Sequence, residues 1–367
     1  MNVKTVAVTG GGTGGHIYPA VAIAHGLRES MGDRVRTVYL GSPGGMENRI
    51  VPAAGIEFFG VRSGGFLGKG PTGKMKGLIR TAQGTVDSLK LLGKLKPALV
   101  VGTGGYVTLP VLLAAYLRRI PVVVHEQNAW PGLANRIAAR FAVRILATFE
   151  ESRNRFSGPE RVLVTGLPVR PAFHTVSTTR EASFRRHLLV TGGSQGASPL
   201  NRVILRTLPR LMEAGWSVTL ITGQKEYRQI AEKAESLPEK WMEDGLFEIY
   251  PYADDMERQM AKATLVMGRA GASFMAETTL LGIPALLVPF PESASDHQRF
   301  NARAAEKMGA AVVLEQADLN PDSLMQVLDT LTGERLDEMS HRALTMGKPG
   351  ALQEILEVLG HYLQESI

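Results

Sequence analysis

At 367 residues the chain is too long for one average domain and suits two, each large enough to bury its own core. With 44% apolar and 21% charged residues it reads as a soluble globular protein, and the absence of cysteine excludes a disulfide framework, a thiolate metal site and a thiol nucleophile. The net charge of +6 is unevenly shared: residues 1–165 hold 21 Lys and Arg against 9 Asp and Glu, a balance of +12, and the remainder balances at −6.

The chain opens with a strand pattern, "KTVAVT", that runs into glycines without the basic, apolar and small-residue order of a secretory leader. Residues 10–15 hold five glycines in six positions, followed by His16 and an apolar helical pattern, "IYPAVAIA". Gly10, Gly12 and Gly15 fit the spacing of a dinucleotide turn. That reading also needs an acidic residue at the end of the second strand, and this strand ends "VYLGSPGG". A Walker A loop fails because His16 stands where lysine should follow the last glycine.

After the strands "RTVYLG" and "IEFFGV", residues 62–96 carry eight basic residues against Asp87 alone, interleaved with Phe66, Leu67, Leu78, Ile79, Leu89, Leu91 and Leu92. Such a field points to an anionic partner. Nucleic acid would call for stacking aromatics among the cations, and Phe66 alone does not supply them; an anionic phospholipid surface fits better. Residues 97–117 are uncharged and long enough for a membrane span, but glycines and Pro110 break the run. It is read as a buried strand, a glycine turn, and a helix from near Pro110. "PVVVHEQ" and "VRILATF" complete six strands in the first half.

A Pro- and Gly-bearing, then polar, stretch at about residues 166–187 is the expected linker. Beyond it "HLLVTGG", "SVTLITG", "LFEIYPY", "TLVMGRAG", "PALLVPFP" and "AAVVLE" are the strands of a second half. Their continuous apolarity predicts parallel sheets covered on both faces, hence two doubly wound α/β domains. "VAVTGGGTGGH" and "LLVTGGSQGAS" are the same event, a strand, a threonine, a glycine turn and a helix, each opening its own half. The expected division is 1–165, with a C-terminal helix at 343–367 packing back on it, and 166–342. Ligands of such sheets bind at the carboxyl ends of the strands, where helix N-termini present free N–H groups to phosphate. The two glycine turns are expected to face a common cleft.

The successive motifs "GGTGGHIYPAVAIA", "GTGGYVTLP", "HEQNAWPGLANR", "GLPVR", "TGGSQGAS", "GRAGASFMAE" and "PFPESASDHQRFNA" resemble, in order, those of the MurG family, the peripheral-membrane N-acetylglucosaminyltransferases of peptidoglycan synthesis. The resemblance implies a GT-B glycosyltransferase of two Rossmann-like domains facing a cleft. It would transfer GlcNAc from UDP-GlcNAc to the 4-hydroxyl of the muramyl sugar of undecaprenyl-linked lipid I, inverting the anomeric carbon. The expected location is the cytoplasmic face of the bacterial membrane. A related sugar-nucleotide enzyme, an epimerase of UDP-GlcNAc or another lipid glycosyltransferase, is the alternative.

Carried onto this sequence, the resemblance gives the donor ribose to Glu277 and the diphosphate to Gly193, Ser194, Gln195 and Gly196 with Arg170 and Arg269. It gives uracil to Tyr252 and Ala253, unless Tyr252 is a core tyrosine, and the GlcNAc hydroxyls to Gln298 and Asn301. Asp296 offers a helix-capping alternative for part of that last stretch. Thr13, Gly14, Gly15, Gly104, Gly105, Tyr106 and Asn128 would meet the acceptor or the sugar. His16 is the candidate base or, equally, a hydrogen-bond donor that orients the acceptor phosphate; Glu126 and Asn128, with Tyr106, would bind the acceptor or share the proton path, while strand alternation points His125 inward as a structural residue. Asp254 and Asp255 are adjacent rather than alternate, and Asp255 suits a helix N-cap, so transfer is expected to need neither metal nor cofactor.

Overall fold

A computed structural model of the chain describes residues 3–64, 71–176, 186–193 and 195–365. It divides into two compact units, residues 1–169 with 350–367, and residues 170–349. The divisions thus fall a few residues beyond those expected from sequence. The helix Gly333–Met346 stays with the second unit, and the chain passes to the first at the Pro349–Gly350 turn.

The first unit holds a seven-stranded sheet of β1 (Lys4–Thr9), β2 (Val35–Gly41), β3 (Glu57–Gly60), β4 (Leu99–Gly102), β5 (Val122–Glu126), β6 (Arg144–Ala147) and β7 (Val162–Val164). The order is β3-β2-β1-β4-β5-β6-β7, and every pairing is parallel. β7 is a three-residue edge strand that the hydrophobic pattern did not reveal. The uncharged run at 97–117 resolves into β4, a glycine turn and the helix Thr108–Leu117, starting two residues before Pro110. Among the described residues no helix is long and apolar enough to cross a membrane.

The second unit repeats the plan with β8 (Arg186–Thr191), β9 (Trp216–Ile221), β10 (Phe247–Tyr250), β11 (Leu265–Gly268), β12 (Ala285–Leu287) and β13 (Ala311–Val313), ordered β10-β9-β8-β11-β12-β13. These pairings are parallel too. Covering helices show why parallel sheets form here. In the helix Ser198–Glu213, Leu200, Val203, Ile204, Thr207, Leu208 and Leu211 recur at helical spacing and are all buried. Each such aliphatic side chain contributes about 1.5–3 kcal/mol on leaving water.

The last helix, Ala351–Glu365, lays Ile355, Leu359 and Leu363 into the first unit's core against the helix Gly14–Met31. Gly26 permits the approach, since a Cβ there would lie 2.9 Å from Leu356 Cδ1. The Lys4 ammonium donates to the carbonyl of Leu363 and ties β1 to the end of this helix.

In each sheet the order reverses beside its first strand, between β1 and β4 and between β8 and β11. That switch point is where doubly wound sheets hold ligands. A glycine turn follows each of these four strands, at residues 10–15, 102–105, 192–196 and 268–271.

Candidate active site

In the first unit the turn after β1 is built over a buried carboxylate. Glu47, 1% exposed, accepts the N–H of Ser42 at 3.1 Å and of Gly12 at 3.4 Å. A Cβ on Gly11 or Gly45 would collide with this carboxylate, so the glycines make room for it. Tyr39 donates its hydroxyl to Gly10 O at 2.8 Å; burial first and the Glu47 charge second hold the phenol well above its ordinary range, so it stays a donor. Gly11 N–H donates to Gly104 O at 3.0 Å, which locks the turn after β1 to the turn after β4.

Sequence reasoning looked for an acid at the end of β2 to hold a ribose. An acid does stand six residues past that strand, but its oxygens take main-chain N–H groups instead. The Gly-Gly pair just before Glu47 was the local sign of it.

Thr13 is exposed at the N-cap position of the helix Gly14–Met31, and its side chain makes no cap hydrogen bond. The first-turn N–H groups of Gly14 and Gly15 have no carbonyl one turn back to bond. His16 is half-buried, with its carbonyl accepting from Thr103 Oγ1 at 2.7 Å and its ring Nδ1 lying 2.9 Å from Gln127 Oε1. Gly104 has φ +110, and a Cβ there would stand 2.9 Å from His16 Nδ1. Tyr106 is 41% exposed on the same turn.

Glu126, at the end of β5, is fully buried. Its Oε1 accepts the N–H of Asn128 at 2.9 Å and Asn128 Nδ2 at 3.1 Å; its Oε2 accepts the N–H of Gly132 at 3.0 Å and Asn135 Nδ2 at 2.9 Å. The carboxylate expected on the proton path is therefore occupied by four donors and organises residues 128–135. His125 is fully buried, as is the rest of β5 on both faces, with Nε2 donating to Gly166 O at 2.9 Å. Burial lowers its pKa to about 4.

In the second unit Gly193 and Gly196 both take positive φ. Gly196 N–H donates to Gly193 O at 2.9 Å, Gly193 N–H donates to Thr191 Oγ1 at 3.1 Å, and Gln195 is exposed. A Cβ on Gly196 would collide with Thr222 O, so the turn rests backbone to backbone on the loop after β9. Ser194 lies outside the described residues, as do Phe66, Leu67 and Lys69 of the basic stretch. The helix Ser198–Glu213 leads away from the turn.

Arg170 and Glu277 meet across 107 positions of sequence, Arg170 Nε donating to Glu277 Oε1 at 2.9 Å. The Glu277 side chain is 12% exposed, on the helix Ala272–Leu280 that follows the turn after β11. Burial raises its carboxyl above the ordinary range while Arg170 pulls it back. Arg170 itself is half exposed and lies 4.8 Å from the Phe173 ring centroid.

Tyr252 is 48% exposed, which removes the core-tyrosine alternative, and Ala253 beside it is buried. Arg269 turns inward: Nη1 donates to Val288 O at 3.0 Å and to Pro289 O at 3.2 Å, and Nη2 donates to Gln316 Oε1. Gln298 Oε1 accepts the N–H of Phe290 at 3.0 Å, and Asn301, fully buried, donates Nδ2 to Ala270 O at 3.1 Å. These three side chains fix the backbone around β11, β12 and the loop that follows.

Two expected helix caps differ. Asp255 and Asp296 occupy N-cap positions, yet neither side chain accepts a cap hydrogen bond. Asp255 takes Gln259 Nε2 at 3.3 and 3.4 Å, and Asp296 pairs with Arg299 at 3.0 Å.

On the helix Pro71–Leu95, Met75, Leu78, Ile79 and Val86 are 49–63% exposed, with Lys76, Arg80 and Lys90 exposed beside them. Leu92 is buried, Leu89 and Leu91 pack partly on the core, and Arg62 is paired with Asp87 at 2.6 Å.

The glycosyltransferase family 28 N-terminal domain matches residues 6–147, and the family's C-terminal domain matches residues 187–355. A protein of Moorella thermoacetica is 39% identical over 96% of this chain and 98% of its own, and one of Halothermothrix orenii is 40% identical over 96% and 97%. Both bear the name UDP-N-acetylglucosamine–N-acetylmuramyl-(pentapeptide) pyrophosphoryl-undecaprenol N-acetylglucosamine transferase. The crystal structure of Acinetobacter baumannii MurG superposes with a TM-score of 0.82 at 28% identity, covering 98% of this chain and 99% of that one. The UDP-GlcNAc 2-epimerase of Neisseria meningitidis shares the fold at a TM-score of 0.65 and 16% identity, over 97% and 99% of the two chains.

Proposed function

The chain belongs to glycosyltransferase family 28, and from that membership we propose that it transfers N-acetylglucosamine from UDP-GlcNAc to the 4-hydroxyl of the muramyl sugar of undecaprenyl-linked lipid I, with inversion at the anomeric carbon. The observation that carries the reading is an end-to-end likeness, 39–41% identity over 96% of the chain, to relatives bearing that transferase name.

The donor binds the second unit. Glu277 accepts from the ribose hydroxyls through its two oxygens, a role to which a largely buried carboxylate steadied by Arg170 is suited. The N–H groups of residues 193–196 and the N-terminus of the helix Ser198–Glu213 receive the diphosphate, and Arg170 balances its charge. Tyr252 stacks on uracil, with the Ala253 main chain fixing its edge. Gln298 and Asn301 shape the sugar pocket, and Arg269 supports it from within. The departing UDP is stabilised by the helix terminus and arginine rather than by a divalent ion, since Asp254 and Asp255 do not alternate.

The acceptor binds the first unit at Thr13, Gly14, Gly15, Gly104, Gly105, Tyr106 and Asn128. As the acceptor oxygen attacks the anomeric carbon, His16 takes its proton. The exposed apolar and basic residues of the helix Pro71–Leu95 seat the protein on an anionic leaflet at the cytoplasmic face, at about 1 kcal/mol per basic residue near the surface. UDP release is expected with a lipid I analogue, to be unaffected by chelator, and to be absent without acceptor. UDP released or the sugar epimerised without acceptor would overturn the transferase reading. Liposome sedimentation that ignores anionic lipid content would overturn the membrane seat.

A further inference from the structure

His125 and Gln127 have so far been given no part in chemistry, yet they form one series of hydrogen bonds with His16, and its polarity is forced. It ends at Gly166 O, a carbonyl that can only accept, so His125 Nε2, 2.9 Å away, carries a hydrogen. The ring is fully buried, and burial keeps it neutral, so Nδ1 is a lone pair. That lone pair lies 3.1 Å from Gln127 Nε2, which requires the amide nitrogen on this side. The carbonyl of His125, 3.0 Å from the same nitrogen, requires it a second time. Gln127 Oε1 is thereby turned toward the glycine turn, 2.9 Å from His16 Nδ1, and an amide oxygen can only accept.

We propose that Gln127, oriented by His125 and the Gly166 carbonyl, is a positioning residue that holds neutral His16 as its Nδ1–H tautomer and so leaves Nε2 as the lone pair that receives the acceptor's proton. The proposal rests on the reading of His16 as the base. An unconstrained imidazole carries its hydrogen on either nitrogen, and only one of the two forms offers Nε2 as an acceptor.

The balance of the step is simple. The acceptor O–H bond breaks and its proton goes to His16 Nε2; the oxygen forms the bond to the anomeric carbon; the bond to the diphosphate oxygen breaks and its electron pair leaves with UDP. The imidazolium keeps its Nδ1–H on Gln127 Oε1 throughout. A neutral amide suits this place because it orients the ring without a charge that would hold it protonated at rest. Glu126, next in the chain to both residues, has its oxygens turned to Asn128, Gly132 and Asn135.

The test is a long-range proton–nitrogen NMR correlation on the full chain carrying 15N-histidine, with His16 assigned by its loss in His16→Gln. Wild-type His16 is expected to show a protonated Nδ1 and a bare Nε2. Gln127→Leu is expected to shift the population toward Nε2–H and to lower kcat with UDP-GlcNAc and a lipid I analogue roughly 10- to 100-fold, with both KM values within about twofold. Gln127→Glu keeps an acceptor against Nδ1 and is expected to retain the hydrogen there and, at pH values high enough to leave Nε2 bare despite the added charge, to turn over faster than the leucine variant. A packing role alone predicts the reverse order, because a buried carboxylate costs more than an apolar side chain of similar size. Wild-type His16 with its hydrogen on Nε2 overturns the proposal whatever the kinetics of the variants. Normal turnover by His16→Ala, with the tautomer as expected, overturns instead the base assignment beneath it.

Discussion

The turns after β1 and after β8 share one local plan, a strand, a threonine, glycines and a helix, but they are anchored by different means. The first is held by side chains that arrive from elsewhere in the chain: Glu47 on Gly12, Tyr39 on Gly10, Thr103 on His16. The second is held mostly by its own main chain and the backbone of the loop after β9, with one hydroxyl, that of Thr191 at the end of β8, as its side-chain support. The difference matches the roles proposed for the two turns. A proton acceptor works only if one nitrogen is held within tenths of an ångström of its target, which takes buried side-chain supports. A diphosphate is received by a row of N–H groups, which a bare turn at a helix N-terminus supplies unaided.

The largest expected effect comes from His16→Ala, which should lower kcat roughly 10²- to 10⁴-fold with donor KM unchanged, measured as UDP release with a lipid I analogue. A change confined to donor KM would break the division of labour between the two turns. Gly196→Ala forces a Cβ toward Thr222 O at a residue with positive φ, and should destabilise the second unit by about 2–4 kcal/mol in urea unfolding. The equivalent cost at a glycine with open space around its Cβ position, such as Gly12, which also has positive φ, should be about 1 kcal/mol.

A pH effect sharpens the picture of the first unit. The folded pKa of His125, about 4, lies below the ordinary value of 6.5, so the unfolded chain binds a proton first as the pH falls. The stability this neutral ring contributes is whole above about pH 6.5 and is lost on descending toward pH 4. Unfolding followed across that window should fall more steeply for wild type than for His125→Phe, and equal slopes would refute the assignment. Smallest is Glu277→Gln, which removes charge but keeps shape; donor KM should rise about tenfold and acceptor KM should stay put. Acceptor KM moving instead would place the carboxylate on the wrong substrate.

The strands and both glycine turns were legible because continuous Val, Ile and Leu runs and bare turns are local signals. β7 was not, since three residues at a sheet edge carry too little pattern to separate from a loop. Tyr252 could not be placed by composition, and its exposure is a property of the fold around it. Glu47 and Gln127 escaped for a deeper reason. Glu47 acts on Gly12, 35 positions away, and Gln127 on His16, 111 positions away. No window of sequence contains both partners. Alternation was the reason given for placing His125 inside, but β5 is buried on both faces, Glu126 included, and Gln127 lies one residue past the strand. The ion pair of Arg170 with Glu277 joins two residues that sequence motifs named separately.

The helix Ala351–Glu365 has a bearing on how the molecule is made. Its Ile355, Leu359 and Leu363 complete the core of the first unit, so that core cannot close until residues 351–365 have been made. At about 5–20 residues per second, residues 170–349 take roughly 10–40 s to emerge, and throughout that interval the apolar flank of the helix Gly14–Met31 waits bare on the ribosome. The first unit is therefore completed by a helix that is made only after the whole of the second.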